Sequence, residues 1–536
     1  MKAFKPVLGL ILASFVSFTA GLVSAATPPD EFIFNSQSEP ETLDPQRVTA
    51  SNDQQLVFNL FEGLITRAQD YVTLKPAIAS KWDISKDKKT YTFHIRPNLK
   101  WSNGDPMTME QIRDSFIRAI SPTTTNQYIQ WYADNVDGVK DFIKNFNTPD
   151  KKKFEEKVGI KLSGKDKIEF HLNKPSISFL QYFSQPAFFV VHPSMIDPNS
   201  TAWHTPAKFV VNGPFKIVEW TVNKRVVLER NPYYRDVSDV RIKRVVGLLV
   251  NDEHTTLNLY RAGQIDWTAE NTISSTLVPS LQARTDFHLI PSFGTYLYVF
   301  NIKHKPFDDV RVRRALSIAI QRGEITDKVI RAGQVPTNRL VPPGVKGYKP
   351  QIDPPAPFEK QVEKAKQLLA EAGFPDGKKF PEVTLMYNTT EGHRRIAEAV
   401  QQMWKKYLGI NVKLQNMEWK VLLKEQEAKN FDIVRLSWIG DVPDPANMLD
   451  SFLSDSGTNY SNWGSAEYDK LVRDSASVTD AKKRFKMLEK AEKILLDEAP
   501  IAPIYHYVFY SLMSPRIEGF QPNMFGMYQF KYFSKK

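Results

Sequence analysis

Apolar and polar residues are patterned in two different ways along this chain. From residue 358 onward, stretches with apolar positions three and four apart trade places with short runs rich in β-branched and aromatic residues. Residues 358–372 read as a helix, 383–387 as a strand, 393–408 as a helix, 410–414 as a strand, 421–428 as a helix and 431–438 as a strand. Such alternation predicts α/β units built on a sheet. In the first half, strand patterns at 90–96, 167–172, 215–220 and 225–230 come with few helical ones, which predicts antiparallel sheet.

The stretch 431–449, FDIVRLSWIGDVPDPANML, departs most from simple patterning. Arg435 stands inside an apolar run where no solvated face would put it, and a buried guanidinium needs a partner. Asp444-Pro445 predicts an N-cap followed by proline in the first helical turn, which leaves Asp441 at the tip of the preceding loop. Two opposite charges then lie near the C-terminal end of a strand, where open α/β sheets bind ligands. They suit a ligand with an ammonium at one end and a carboxylate at the other, although mutual pairing would also satisfy them.

In the helix predicted at 393–408, Ile396, Val400, Met403 and Tyr407 form a buried stripe, and His393 lies one turn ahead of it. Thr389 or Thr390 can cap its start and Gly409 can end it. Free N–H groups and the positive end of the helix dipole favour an anion beside His393; a packed, hydrogen-bonded core histidine is the other reading.

Length changes the picture next. At about 150 residues per domain, 536 residues predict three or four domains, yet there is no long Gly/Ser linker and no internal repeat. A chain that crosses between lobes several times would look like this. Lys2 and Lys5, the apolar stretch 7–20 and Val23-Ser24-Ala25 match a secretory signal peptide cleaved near Ala25, and no later segment reaches membrane-spanning length. Cysteine is absent, so disulfides and a lipoprotein anchor are both excluded, and a freely diffusing periplasmic protein is expected. The formal charge is +11, or +9 once Lys2 and Lys5 leave with the leader. Its basic residues are interleaved with acidic ones in helices such as 151–157 and 482–493, a solvated pattern that argues against a nucleic-acid partner. There is no His-Glu-x-x-His, no Gly-x-Ser-x-Gly and no phosphate loop, and His304, His393 and His506 lack metal-ligand spacing; no enzyme activity, cofactor or metal is expected.

Across nearly the whole mature chain, a series of motifs carries a family resemblance: EPETLDP at 39–45, LFEGL at 60–64, WSNGDPMT at 101–108, NGPF at 212–215, NPYY at 231–234, PFDDVRVRRAL at 306–316, LLAEAG at 368–373 and WIGDVPDP at 438–445. In their order and spacing the chain resembles the periplasmic oligopeptide-binding proteins, family 5 of the ABC-importer solute-binding proteins, a group that also holds dipeptide, murein-peptide and nickel-binding members. The resemblance implies an α/β, two-lobed periplasmic binding protein-like fold (class II, cluster C) with an extra small α+β domain. By analogy the first lobe takes 26–61, 190–293 and 509–536, the extra domain 62–189 and the second lobe 294–508. It further implies a monomer that closes on a peptide and hands it to a membrane ABC permease with two transmembrane subunits and cytoplasmic ATPases.

Carried onto this sequence, Asp441 matches the aspartate that meets the ligand's α-ammonium, and Arg435 and His393 match basic groups near its carboxyl end. Trp419 and Trp438 match aromatic pocket walls, and Ser437, Tyr128, Asn271, Tyr296 and Tyr507 fall on ligand-facing positions. Residues 48–51, including Thr49 and Ser51, match a stretch lying along the ligand backbone. The chain also departs from the family: Gln426 and Ile330, with Arg331 beside it, replace basic residues, Thr49 replaces an acidic one, and Gly294 and Ile439 stand where relatives hold a disulfide. These departures admit a murein peptide as the ligand; a receptor of the same fold for a nickel chelate or heme is a separate alternative, against which the retained Asp441 argues, and a secreted hydrolase is the more distant one.

Overall fold

The computed structural model describes residues 27–176, 179–197, 199–345, 347–349, 356–478 and 480–536. The expected leader and its cleavage site lie outside the described residues.

Three sheets organise the chain. The first holds strands Glu31–Asn35, Arg244–Leu248, Arg225–Arg230 and Phe215–Thr221 in that spatial order. The expectation of purely antiparallel pairing needs one correction: Glu31–Asn35 runs parallel to Arg244–Leu248, with Glu31 opposite Arg244. More than 200 residues separate these two strands, ample length for the crossover that parallel pairing requires.

Between Glu31–Asn35 and Phe215–Thr221 the chain inserts a smaller antiparallel sheet in the order Ala79–Ile84, Thr90–Ile95, Lys167–His171, Ile160–Ser163. Tyr91, Phe93 and Ile95 alternate inward and meet Ile112, Phe116 and Ala119 of helix Met109–Ala119, which Thr108 and Gln111 start with a reciprocal capping box. This unit has its own core.

The third sheet has six strands, ordered Val335–Pro336, Ile501–Leu512, Phe287–Phe300, Ile433–Ile439, Val383–Asn388, Val412–Met417. Its α/β part follows the sequence pattern closely. Val383–Asn388 pairs in parallel with both Val412–Met417 and Ile433–Ile439, and the connecting helices are Glu391–Leu408 and Trp419–Glu427. Thr390 caps the first of these helices through the His393 N–H, Gly409 ends it in the left-handed region at φ 71°, and Ile396, Val400 and Met403 are buried. The longest strands, Phe287–Phe300 and Ile501–Leu512, pair antiparallel with irregularities between Pro291 and Thr295. Their outer end meets the first sheet through single bridges of Trp267 to Phe34 and to Met513. One apolar cluster runs from Phe32 and Phe34 through Trp267 and Phe525 to Leu297, Met448 and Trp463, so the first and third sheets share packing.

Candidate functional site

The loop after strand Ile433–Ile439 is fixed at several points. Gly440 N–H donates to the Phe293 carbonyl at 2.8 Å, and a Cβ at Gly440 would come within 2.4 Å of the Phe293 ring. Asn447 Oδ1 accepts from the N–H groups of Asp441 (2.7 Å) and Val442 (3.2 Å), while Asp444 Oδ1 accepts from Ala446 N–H and caps helix Pro445–Leu449. Val442 is 1% exposed and packs into the core of the small inserted unit. The Asp441 carbonyl accepts from Gln185 Nε2 at 2.7 Å. This loop of the third sheet is therefore docked onto the small unit.

Half-buried Asp441 faces the Tyr128 hydroxyl, which also meets Gln54 of helix Ser51–Leu60. Gln54 Nε2 in turn reaches the Thr49 carbonyl at 3.4 Å, and Ser51 is the first residue of that helix. All three sheet units thus converge on one carboxyl. Burial pushes Asp441 up to about 7, against the pull of the Arg67 guanidinium and the Tyr128 hydroxyl. Arg67 is fully buried, lies 5.0 Å from the Tyr71 ring, and donates from Nε to Ser184 Oγ and from Nη1 to the Tyr71 carbonyl; its Nη2 is buried without a partner. Its hydrogen bonds go to these groups rather than to Asp441.

A second cluster surrounds Arg435, 5% exposed. The register places Tyr298 opposite Arg435 and Tyr296 opposite Ser437, so these side chains share a face of the sheet. The Arg435 guanidinium stands 5.0 Å from the Tyr296 ring and donates to the Tyr507 hydroxyl (2.7 Å) and Asn388 Oδ1 (3.3 Å). Gln426, buried at the end of its helix, donates to the Arg435 carbonyl at 2.8 Å. The His393 ring lies 5.6 Å from that of Tyr296, tilted by 44°; burial and then the Arg435 charge push it down to about 2, so it enters the site as a neutral polar group. Arg435 Nε, His393 Nδ1 and Gln426 Oε1 are buried without a hydrogen-bond partner in the protein, and the Tyr296 and Tyr298 hydroxyls beside them have only each other and Arg435 to meet. Native interiors rarely leave so many polar atoms together unmatched, which marks a place built to receive a polar group.

The remaining positions lie around these clusters. Trp438 is half-buried and donates to the Asn447 carbonyl, while Trp419 opens its helix with 44% exposure. Asn271 sits apart, tied to the backbone of Tyr510 through its own N–H and its Oδ1. Gly294 and Ile439 are direct strand partners, as a cross-link between these positions would require. Sequence reasoning missed Arg67, Gln54, Gln185, Asn388 and Asn447; only Asn447, three residues into a capped turn, carried a local signal. An open cavity of about 550 Å³ lies elsewhere, lined by Lys75, Tyr234 and residues 531–534, where Arg235 and Lys531 are already paired with Glu62.

The family model for bacterial extracellular solute-binding proteins, family 5 (middle region), matches residues 73–460. The chain belongs to this family. It is 35% identical over 494 residues to the periplasmic oligopeptide-binding protein OppA of Salmonella typhimurium, covering 91% of this chain and 89% of the relative. It is 33% identical to the probable deoxycholate-binding periplasmic protein YgiS of Escherichia coli, covering 95% and 94%. The structure of the murein tripeptide-binding protein MppA of Escherichia coli superposes with a TM-score of 0.85 at 31% identity, covering 95% of this chain and 99% of that one. Against the unliganded open form of MppA the score falls to 0.73 at the same identity. The fold is the two-lobed α/β fold of these binding proteins.

Proposed function

We propose that this protein is a periplasmic receptor that closes its two lobes on an oligopeptide and delivers it to an ABC importer. The observation that carries the reading is Asp441, a carboxyl at the junction of three units with its nearest cation turned to other partners. An entering α-ammonium would supply the missing countercharge. At the other end, Arg435 and its unmatched neighbours offer donors to a carboxylate. Six residues separate these charges along the chain, at most roughly 20 Å at about 3.3 Å per residue, a span suited to an extended ligand of a few residues. Pairing along a peptide backbone gives affinity without reading side chains, and the charged ends set direction.

The same reading divides the chain into a discontinuous first lobe (26–61, 190–293, 509–536), a small domain (62–189) and a second lobe (294–508). It gives the leader a cleavage site near Ala25, with no lipid anchor. It also makes the protein a monomer that docks on a two-subunit permease with cytoplasmic ATPases. The likeness to MppA supports a murein peptide as the second candidate cargo. No helix among the described residues is long and apolar enough to cross a membrane. The test is native mass spectrometry of protein purified from the periplasm. Bound masses forming a distribution of short peptides, or one discrete murein-peptide mass, would support the reading and choose between cargoes; a bile acid or heme mass would overturn it.

A further inference from the structure

Several buried carboxylates among the described residues are paired or fully hydrogen-bonded. Glu62 lies between Arg235 and Lys531, and Asp44 pairs with Arg118. Asp53 accepts from the N–H groups of Glu41 and Thr42, and Glu492 from those of Leu340 and Val341 and from the Tyr348 hydroxyl. Glu270 differs. Its Oε1 accepts from the Tyr528 hydroxyl at 2.7 Å, but Oε2 is the one carboxylate oxygen among the described residues that is buried with no hydrogen-bond partner. Only the Tyr528 and Ser511 hydroxyls act on it, and no cation does. Ser511 Oγ beside it has no other partner, so two neutral hydroxyls are all that faces this carboxyl.

The backbone here is held in an uncommon shape. Ala269 (φ 64°) and Asn271 (φ 59°) flank Glu270 in the left-handed region, which is unfavourable for alanine and is maintained by two bonds between Asn271 and the Tyr510 backbone and one from Leu512 N–H to Thr268 Oγ1. Strain of this kind aims the Glu270 side chain. Its Cγ lies where a Cβ on Gly526 would come within 3.3 Å, and neighbouring Phe525 packs 5.2 Å from Tyr71 and 6.0 Å from Phe293, the ring beneath Gly440. Phe525 and Phe293 thus stand between Glu270 and the Asp441 loop, and as a residue Glu270 is only half-buried.

We propose that Glu270 is a specificity residue that selects ligands carrying a cationic side chain, lysine-like or arginine-like, toward their ammonium-bearing end. This rests on the peptide-receptor reading. A buried acid without a counter-ion is costly, and a ligand cation meeting Oε2 within the closed lobes would remove that cost as no neutral side chain can.

The test compares alanine tripeptides carrying one lysine, at position one, two or three, with the same peptides carrying norleucine, which has a similar chain but no ammonium. Calorimetric titration at pH 8 is expected to show, at one position, lysine bound at least about tenfold more tightly. In Glu270→Gln that ratio should fall to near one. Equal affinity for lysine and norleucine at all three positions in the native protein would overturn the proposal, as would an unchanged ratio in the variant. If the variant does not fold, the native ratios alone decide. Failure of trialanine itself to bind would count against the peptide reading instead.

Discussion

Replacing Asp441 by asparagine isolates the charge at the lobe junction. The loop should survive the change, because its anchors to Asn447 and Gln185 use the Asp441 backbone and because Val442 stays packed. A carboxyl raised from 3.8 to about 7 carries, at about 1.4 kcal/mol per pKa unit, on the order of 4 kcal/mol against ionisation in the closed, empty form. An incoming ammonium offsets this. A charge-assisted hydrogen bond is worth about 1.5–3 kcal/mol net, so Asp441→Asn should weaken a free-amino tripeptide tenfold to about 150-fold, and its N-acetylated form less than threefold. The pH profile follows with a definite sign. Below about pH 7 the native carboxyl is protonated and must release its proton before pairing, so affinity should drop about tenfold per pH unit from 7 downward and stay level above. The variant should show no such slope. Calorimetry with trialanine and N-acetyl-trialanine between pH 5.5 and 8, in two buffers of different ionisation enthalpy, reads both affinity and proton release. Equal losses for the two peptides, or a flat native profile, would refute the assigned role.

Arg435→Gln should weaken a free-carboxylate tripeptide about tenfold to a hundredfold while leaving the C-amidated peptide nearly unaffected, since the guanidinium is the group with charge to offer there; competition binding measures the ratio. Gly440→Ala forces a methyl group against Phe293 and should cost about 1–3 kcal/mol in guanidinium unfolding, with a loss of free-amino peptide affinity as the Asp441 loop shifts.

Legibility followed the range of the forces involved. The α/β alternation after residue 358, the Asp444 cap and the Gly409 stop were readable because each depends on neighbours within a turn or two. The parallel partner of Glu31–Asn35 was not readable, since nothing local distinguishes a strand that pairs with one 200 residues later. The site divides in the same way. Arg435 announced itself as a charge in an apolar run, but the neutral state of His393 depends on burial beside that same arginine, which only the fold creates. Arg67, in the short strand Ile65–Arg67, looks like an ordinary exposed position until Tyr71, Ser184 and Phe525 close over it.

The proposed role of Asp441 links closure to cargo through buried acid. Asp441 belongs to the third sheet's loop, while Tyr128, Gln185 and Arg67 belong to the small unit and Gln54 to the helix beside the first sheet, so with the proposed lobe division it is closure that would desolvate the carboxyl. With Asp441 in its proposed role, the closed, empty form at neutral pH carries a charge penalty that an ammonium-bearing ligand would remove, and a ligand shifts an equilibrium only by such a differential interaction. Asp450 adds to this: burial and then the nearby Asp444 push it up to about 7 against the pull of Arg484, while Asp134 and Lys174 of the small unit act on it in opposite directions. A carboxyl whose pKa is higher in the closed than in the open form favours closure below that pKa and loses the effect as pH rises through it. Small-angle scattering of the unliganded protein should thus show a smaller radius of gyration at pH 5 than at pH 8, and the Asp441→Asn, Asp450→Asn double variant should be compact at both. A double variant that keeps the full pH response would show that closure is governed elsewhere, and the link between cargo charge and lobe movement would fail with it.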